Sequence, residues 1–115
     1  MLLAIFLLLS LLTPVNAQAP TEVQCFPMEH LSGLVEANPA WRILPALSES
    51  ENAAALEIFQ AVSNDETPFD HAFLLEHETG IGMLGVGFDG LACKRVMFSA
   101  EDFRRVKKAV LGTPA

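Results

Sequence analysis

The chain begins with a nearly unbroken apolar run and then changes to a mixed pattern of apolar and polar positions. Residues 2–12 are almost entirely Leu, Ile, Phe and Ala, and Pro14 ends the run. A membrane-spanning helix needs roughly 20 apolar residues, about twice this length. The run is instead typical of a signal peptide, because in the following Val15-Asn16-Ala17 the residues three before and one before the predicted cut are apolar and small. A signal peptide at residues 1–17 is therefore predicted.

Cleavage after Ala17 leaves one mature domain, residues 18–115, which we predict to be periplasmic or secreted. A cut after Ala19 is the less favourable alternative, because Pro20 would directly follow the bond. No lipid anchor is predicted at Cys25, since the residues before it do not fit a lipoprotein cleavage site. The mature chain is long enough for one hydrophobic core and one domain.

Three segments of the mature chain have the apolar spacing of helices. The first is predicted over residues 27–37, from Pro27 to the stop at Asn38-Pro39. The second follows Ser48, which has capping-box spacing with Glu51. The third is predicted over residues 100–111, with Ser99 as N-cap and Asp102 three residues later. A short strand is expected at residues 41–44, at a sheet edge because Pro45 follows.

Residues 71–98 have the pattern of a three-stranded meander. The predicted strands are 71–78, 81–88 and 91–98, joined by two-residue turns at Thr79-Gly80 and Asp89-Gly90. These turns predict a register that places the following residues on the core face of the sheet: Phe73, Leu75, Leu84, Val86, Phe88, Leu91, Cys93 and Met97.

The same register sends a second set to the opposite face: Leu74, Met83, Gly85, Gly87, Val96 and Phe98. A chain this small rarely builds three layers, so we expect part of this second face to be exposed and to bind a partner. The predicted fold is a small α+β domain, an antiparallel three- to four-stranded meander sheet with two or three helices packed on one face and one disulfide.

The net charge of the chain argues against nucleic acid as a partner. The net charge is −7, from 14 acidic and 7 basic residues, all in the mature part. Affinity for nucleic acid comes mainly from phosphate neutralisation, so no nucleic-acid partner is predicted. Membrane contact is conceivable only through the basic cluster of Arg104, Arg105, Lys107 and Lys108. That cluster is interpreted as a solvated face at a helix C-terminus.

Two cysteines, Cys25 and Cys93, remain after export, and an exported pair usually forms one disulfide. Neither a CxxC motif nor a metal-ligand spacing is present. His71 and His77 share one strand face but lie too far apart to bind one metal, and His30 has no marked companion ligands. No metal, cofactor or catalytic residue is predicted.

The sequence therefore favours a non-catalytic, exported binding or protein-interaction domain, with a protein as the partner. One alternative is a small exported hydrolase that uses His71 or His77 with nearby carboxylates. Another is a subunit of an envelope assembly. Trp41 is the residue of choice for an interface anchor if it is exposed.

Overall fold

The computed structural model describes residues 24–88 and 90–112. The predicted signal peptide and its cleavage site lie outside these residues. The described chain forms, in order, β1 (Phe26–Pro27), α1 (Met28–Ala37), β2 (Trp41–Ile43), α2 (Glu49–Ser63), β3 (His71–His77), β4 (Gly82–Gly87), β5 (Leu91–Ala92), β6 (Lys94–Phe98) and α3 (Ala100–Val110). The predicted small α+β domain is confirmed. None of these helices is long and apolar enough to cross a membrane.

Local hydrogen bonds explain where the helices begin. The Ser48 hydroxyl accepts from the Glu51 backbone N–H at 3.2 Å, and the Glu51 carboxylate accepts from the Ser48 N–H at 2.8 Å. This reciprocal pair is the predicted capping box of α2. At α3 the Ser99 hydroxyl accepts from the Asp102 N–H at 3.2 Å. Both starts agree with the sequence.

The main sheet is antiparallel with strand order β2-β3-β4-β6, and β1 pairs with β5 in a separate two-stranded ribbon. The edge position of β2 and the β3-β4-β6 meander were both predicted. Helices α2 and α3 pack on one face of the main sheet, as expected. The core there includes Ala55 and Phe59 of α2 and Phe103 of α3, all nearly inaccessible to solvent.

The predicted register of the first hairpin is wrong by one residue. Leu74 pairs with Leu84, whereas the sequence paired Leu75 with Leu84. The connection is a three-residue loop, in which the His77 N–H donates to the Ile81 carbonyl at 2.9 Å. Gly80 closes this loop at φ 102°, the left-handed conformation that such loops require.

The second hairpin also differs from its predicted register, but for another reason. Its tight turn is present, since the Leu91 N–H donates to the Phe88 carbonyl at 2.7 Å. Beyond the turn, however, the Cys93 N–H also donates to the Val86 carbonyl at 2.9 Å, although Val86 is paired with Lys94. Two residues thus oppose one, which is a β-bulge, and the remaining pairs are displaced by one residue.

Both corrections change which side chains share a face. The side toward α2 and α3 carries Leu74, Leu84 and Val86, whereas Phe73 and Leu75 lie on the opposite side. That opposite side is covered by α1, whose Leu31 packs in a second, smaller apolar cluster. The domain therefore has three layers, contrary to the expectation of two.

Candidate binding groove

The six residues predicted to form a partner-binding face are divided between the two sides of the sheet. Leu74, Val96 and Phe98 belong to the larger core under α2 and α3, and Leu74 is only 1% exposed. Met83, Gly85 and Gly87 lie on the α1 side. The register shift in the first hairpin separates Leu74 from Met83, and the bulge in the second hairpin separates Val96 and Phe98 from Met83, so the six do not form one surface.

The α1 side contains a groove of about 710 Å³. Its roof is formed by apolar side chains of α1, namely Leu31, Leu34 and Val35. Its floor is formed by apolar side chains of β3 and β4, namely Phe73, Leu75 and Met83. Phe26 and Trp41 also line it. We call this space the α1 groove.

The groove exists because α1 is held at its two ends and packs loosely between them. At its start, the Cys25–Cys93 disulfide and the β1–β5 ribbon tie the chain to the sheet, and the Met28 N–H donates to the Gly90 carbonyl at 3.0 Å. At its end, the Trp41 N–H donates to the Asn38 carbonyl at 2.9 Å. Between these points only Leu31 is buried, and Leu34 is 55% exposed.

Glycine shapes the floor. A β-carbon at Gly85 would overlap the ring of Phe73 on the neighbouring strand, so the end of the ring lies in the position that a side chain would occupy. At the other edge of the sheet, the indole of Trp41 meets the ring of His77 edge-on, with centroids 5.0 Å apart. Trp41 is therefore partly packed against His77 and partly accessible from the groove.

The groove is apolar over most of its length and charged at the β6 end. Lys94 and Arg95 line that end, together with Asp65 after α2. Lys94 forms an ion pair and hydrogen bond with Asp65. This bond, with hydrogen bonds from Thr67, lowers the pKa of the Asp65 carboxyl from 3.8 to about 2. Arg95 is exposed and forms no ion pair within residues 24–88 and 90–112.

Other charged side chains are used in structural contacts. Glu76 lies between Lys107 of α3 and Arg42 of β2, and the Lys107 hydrogen bond, followed by that of Arg42, lowers the pKa of the Glu76 carboxyl. In the basic cluster of α3, Arg105 pairs with Glu101 and Asp102 one turn earlier. Half of that cluster is thus engaged within the domain.

The histidines of the described residues are not hydrogen-bonded to carboxylates. His77 Nδ1 accepts from the Thr79 N–H at 3.1 Å and lies 2.7 Å from the Thr79 hydroxyl. His71 lies beside the ring of Phe73 on the same strand face. In the part of the chain that the structure describes, no hydrogen bond or ion pair joins a histidine to a carboxylate, and no three His, Cys, Asp or Glu residues cluster as metal ligands.

The sequence predicted a Cys25–Cys93 disulfide and placed Met83 and Gly85 on a partner-binding face. The disulfide is confirmed, with Cα atoms 4.1 Å apart. The sequence did not reveal the groove or the position of Arg95 in its lining. The alternation along β6 could have paired Arg95 with Gly85 only if the bulge at Cys93 had been known, because the bulge decides the face on which Arg95 emerges.

Comparison with known proteins gives no relative for this arrangement. No protein-family model, no curated protein and no solved structure matches the chain significantly.

Proposed function

We propose that the mature protein is an exported, non-catalytic binding domain and that its ligand site is the α1 groove. The observation that carries the proposal is an apolar space of about 710 Å³ with charged groups at one end. Binding sites for small ligands are typically concave spaces of about 300–1,000 Å³, mostly apolar, with a few polar groups that fix orientation. The groove has both properties.

Export is supported by the disulfide and by the signal-like N-terminus. Disulfides persist in oxidising compartments, and the Cys25–Cys93 bond ties the roof of the proposed site to the sheet. Mass spectrometry of the protein recovered from outside the cytoplasm is expected to give a mature chain that begins at Gln18, with both cysteines oxidised. An intact Met1 on membrane-bound material would contradict export.

A protein partner, expected from the sequence, remains the competing occupant. It would reach the groove with an apolar segment small enough to enter beneath α1. The hydrolase alternative gains no support from the described residues, because their histidines lack carboxylate partners. The assembly alternative predicts self-association, and gel filtration of the disulfide-bonded protein tests it directly.

The proposal is tested with a neutral apolar probe, decanol, and with Trp41 as the reporter. Trp41 is the single tryptophan of the chain and lines the groove, so occupancy is expected to change its fluorescence. Leu34→Glu and Met83→Glu each place a charge in the lining, and both are expected to weaken decanol binding strongly, because desolvating an unpaired charge is costly.

Met97 supplies the matched control. It is paired with Met83 on the neighbouring strand, is 49% exposed and does not line the groove. Met97→Glu is therefore expected to leave decanol binding unchanged. If Met83→Glu unfolds the protein, Leu34→Glu still decides the question, since Leu34 is exposed on α1. Decanol binding that is absent from the wild type, or unchanged in Leu34→Glu, would refute the proposed site.

A further inference from the structure

The distribution of charge around the α1 groove is opposite to that of the whole chain. The protein has a net charge of −7, yet the groove is lined by two bases and one acid: Lys94, Arg95 and Asp65. Asp65 is neutralised by Lys94. The remaining charge at this end is the positive charge of Arg95. An acidic protein that keeps a cation at the mouth of an apolar groove is complementary to a ligand with an apolar body and one anionic group.

The register places Arg95 where it can meet such a group. Arg95 of β6 pairs with Gly85 of β4, which pairs with Phe73 of β3. These three residues form one row across the sheet on the groove side, with no side chain at Gly85 between the ring and the guanidinium. The planar guanidinium presents a fork of N–H donors that matches a carboxylate in bidentate fashion.

Apolar side chains continue from this row toward the opposite edge. The next row contains Leu75 and Met83, and Trp41 lies on β2 at the far edge of the sheet. Three strand spacings separate β6 from β2, so the floor extends about 14 Å from the cationic end. The groove thus has one charged end and a long apolar part. These match the polar head and the apolar tail of a single-chain amphiphile.

The tethers of α1 limit what can enter. The disulfide and the β1–β5 ribbon hold one end of the roof, and the turn from Asn38 to Trp41 holds the other. A ligand must therefore enter from the side, beneath a helix that remains attached at both ends. This favours a free, single-chain molecule over a two-chain lipid that stays in a membrane.

Building on the function proposed above, we propose that the ligand of the α1 groove is a free alkyl carboxylic acid, with its carboxylate on Arg95 and its chain along Phe73, Leu75 and Met83 toward Trp41. Arg95 is a specificity-determining residue of this site. The apolar floor supplies affinity for the chain, and Arg95 discriminates the acid from its uncharged analogues.

The test compares decanoate with decanol, which share a chain and differ in charge, on the disulfide-bonded protein by Trp41 fluorescence and calorimetry. A hydrogen bond to a charged group contributes about 1.5–3 kcal/mol, so decanoate is expected to bind at least about tenfold more tightly than decanol. Arg95→Gln is expected to weaken decanoate binding far more than decanol binding and so to remove this preference. Arg95→Lys, which keeps the charge without the fork, is expected to recover part of it.

Arg104→Gln on α3 is the control, because it removes one exposed cation from a helix that does not line the groove. It is expected to change neither affinity. Equal binding of decanoate and decanol, or an unchanged decanoate affinity in Arg95→Gln, would overturn the carboxylate assignment and leave the proposed function standing. Failure of both ligands to bind would refute the proposed function as well. Displacement of decanol by an uncharged amphipathic peptide but not by decanoate would assign the groove to a protein segment and overturn the inference.

Discussion

The ring of Phe103 occupies the position that a β-carbon at Gly82 would take. Phe103 lies on α3 and is the largest of the fully buried side chains in the described residues, and Gly82 is the first residue of β4. Because position 82 has no side chain, α3 can approach the sheet with its aromatic ring directly on the backbone. This contact fixes α3 over the larger core.

Gly82→Ala is therefore expected to destabilise the fold. The added methyl group would force the Phe103 ring out of a fully packed site, and overpacking of this kind costs about 1–3 kcal/mol. Urea unfolding measures the change. Gly33→Ala in α1 is the matched control: apart from its chain neighbours and the backbone of its own helix, nothing lies within 4 Å of the added methyl, and the loss of glycine from a helix gains about 0.5–1 kcal/mol. Equal effects of the two substitutions would contradict this packing argument.

Asn52 of α2 is predicted to stabilise the part of the β3 edge that β2 does not cover, where Ala72 is buried. Its side-chain amide donates to the Asp70 carbonyl at 3.0 Å, and its carbonyl oxygen accepts from the Ala72 N–H at 2.7 Å. Since β2 spans only residues 41–43, it leaves this part of β3 without a neighbouring strand. Asn52→Ala is expected to cost about 1–3 kcal/mol through the unsatisfied backbone group.

Amide exchange identifies the cause of this loss, because the Ala72 N–H should exchange faster in Asn52→Ala than in the wild type. Asn52→Asp keeps the acceptor for Ala72 but turns a carboxylate oxygen toward the Asp70 carbonyl, so it is expected to protect the Ala72 N–H and still to be less stable than the wild type. An Ala72 N–H that exchanges no faster in Asn52→Ala than in the wild type would be incompatible with this role.

The Cys25–Cys93 disulfide is predicted to stabilise the whole domain and to hold α1 in particular. It closes a loop with a sequence separation of 68, for which chain entropy gives about 4 kcal/mol. The double variant Cys25→Ser with Cys93→Ser should lose about this amount in denaturant unfolding. Its α1 amides should exchange well before those of β3 and β4. Equal protection of α1 and the central strands in that variant would refute the tethering role.

The Asp65–Lys94 ion pair predicts a pH dependence of stability. The folded-state pKa of Asp65 is about 2, below its ordinary value of 3.8, so its contribution is present above pH 3.8 and is lost as the pH falls through 2. Lys94 is 41% exposed and solvent screens the pair, so we expect Asp65→Asn to cost about 1 kcal/mol at neutral pH. The difference from the wild type should disappear near pH 2. A difference that is constant across this range would exclude the ion pair as its source.

The elements whose signals are local were predictable from the sequence. Ser48 and Glu51 form the expected capping box, and the Leu91 N–H donates to the Phe88 carbonyl, as expected of a tight connection between these two residues. A capping box or a tight turn depends on residues three positions apart, so no tertiary information is needed. The disulfide was predicted on different grounds, because a pair of cysteines in an exported chain usually forms one bond.

The faces of the sheet were not predictable, because the central strands are apolar on both sides. Phe73, Leu74 and Leu75 are consecutive, so a register shifted by one residue still buries large side chains. The three-residue loop at Gly80 and the bulge at Cys93 decide the register, and neither has a distinctive local pattern. The apolar stripe of α1 likewise shows that the helix packs on something, but not on which side of the sheet.

Strands β3 and β4 lie between two apolar clusters, so successive residues of the same strand have different roles. Leu74 and Leu84 maintain the fold beneath α2 and α3, whereas Phe73 and Met83 shape the groove. Under the function proposed above, selection for a new ligand acts on every second residue while the residues between them stay fixed. Among descendants of this chain, recognition can diversify along β3 and β4 without a matching loss of foldability.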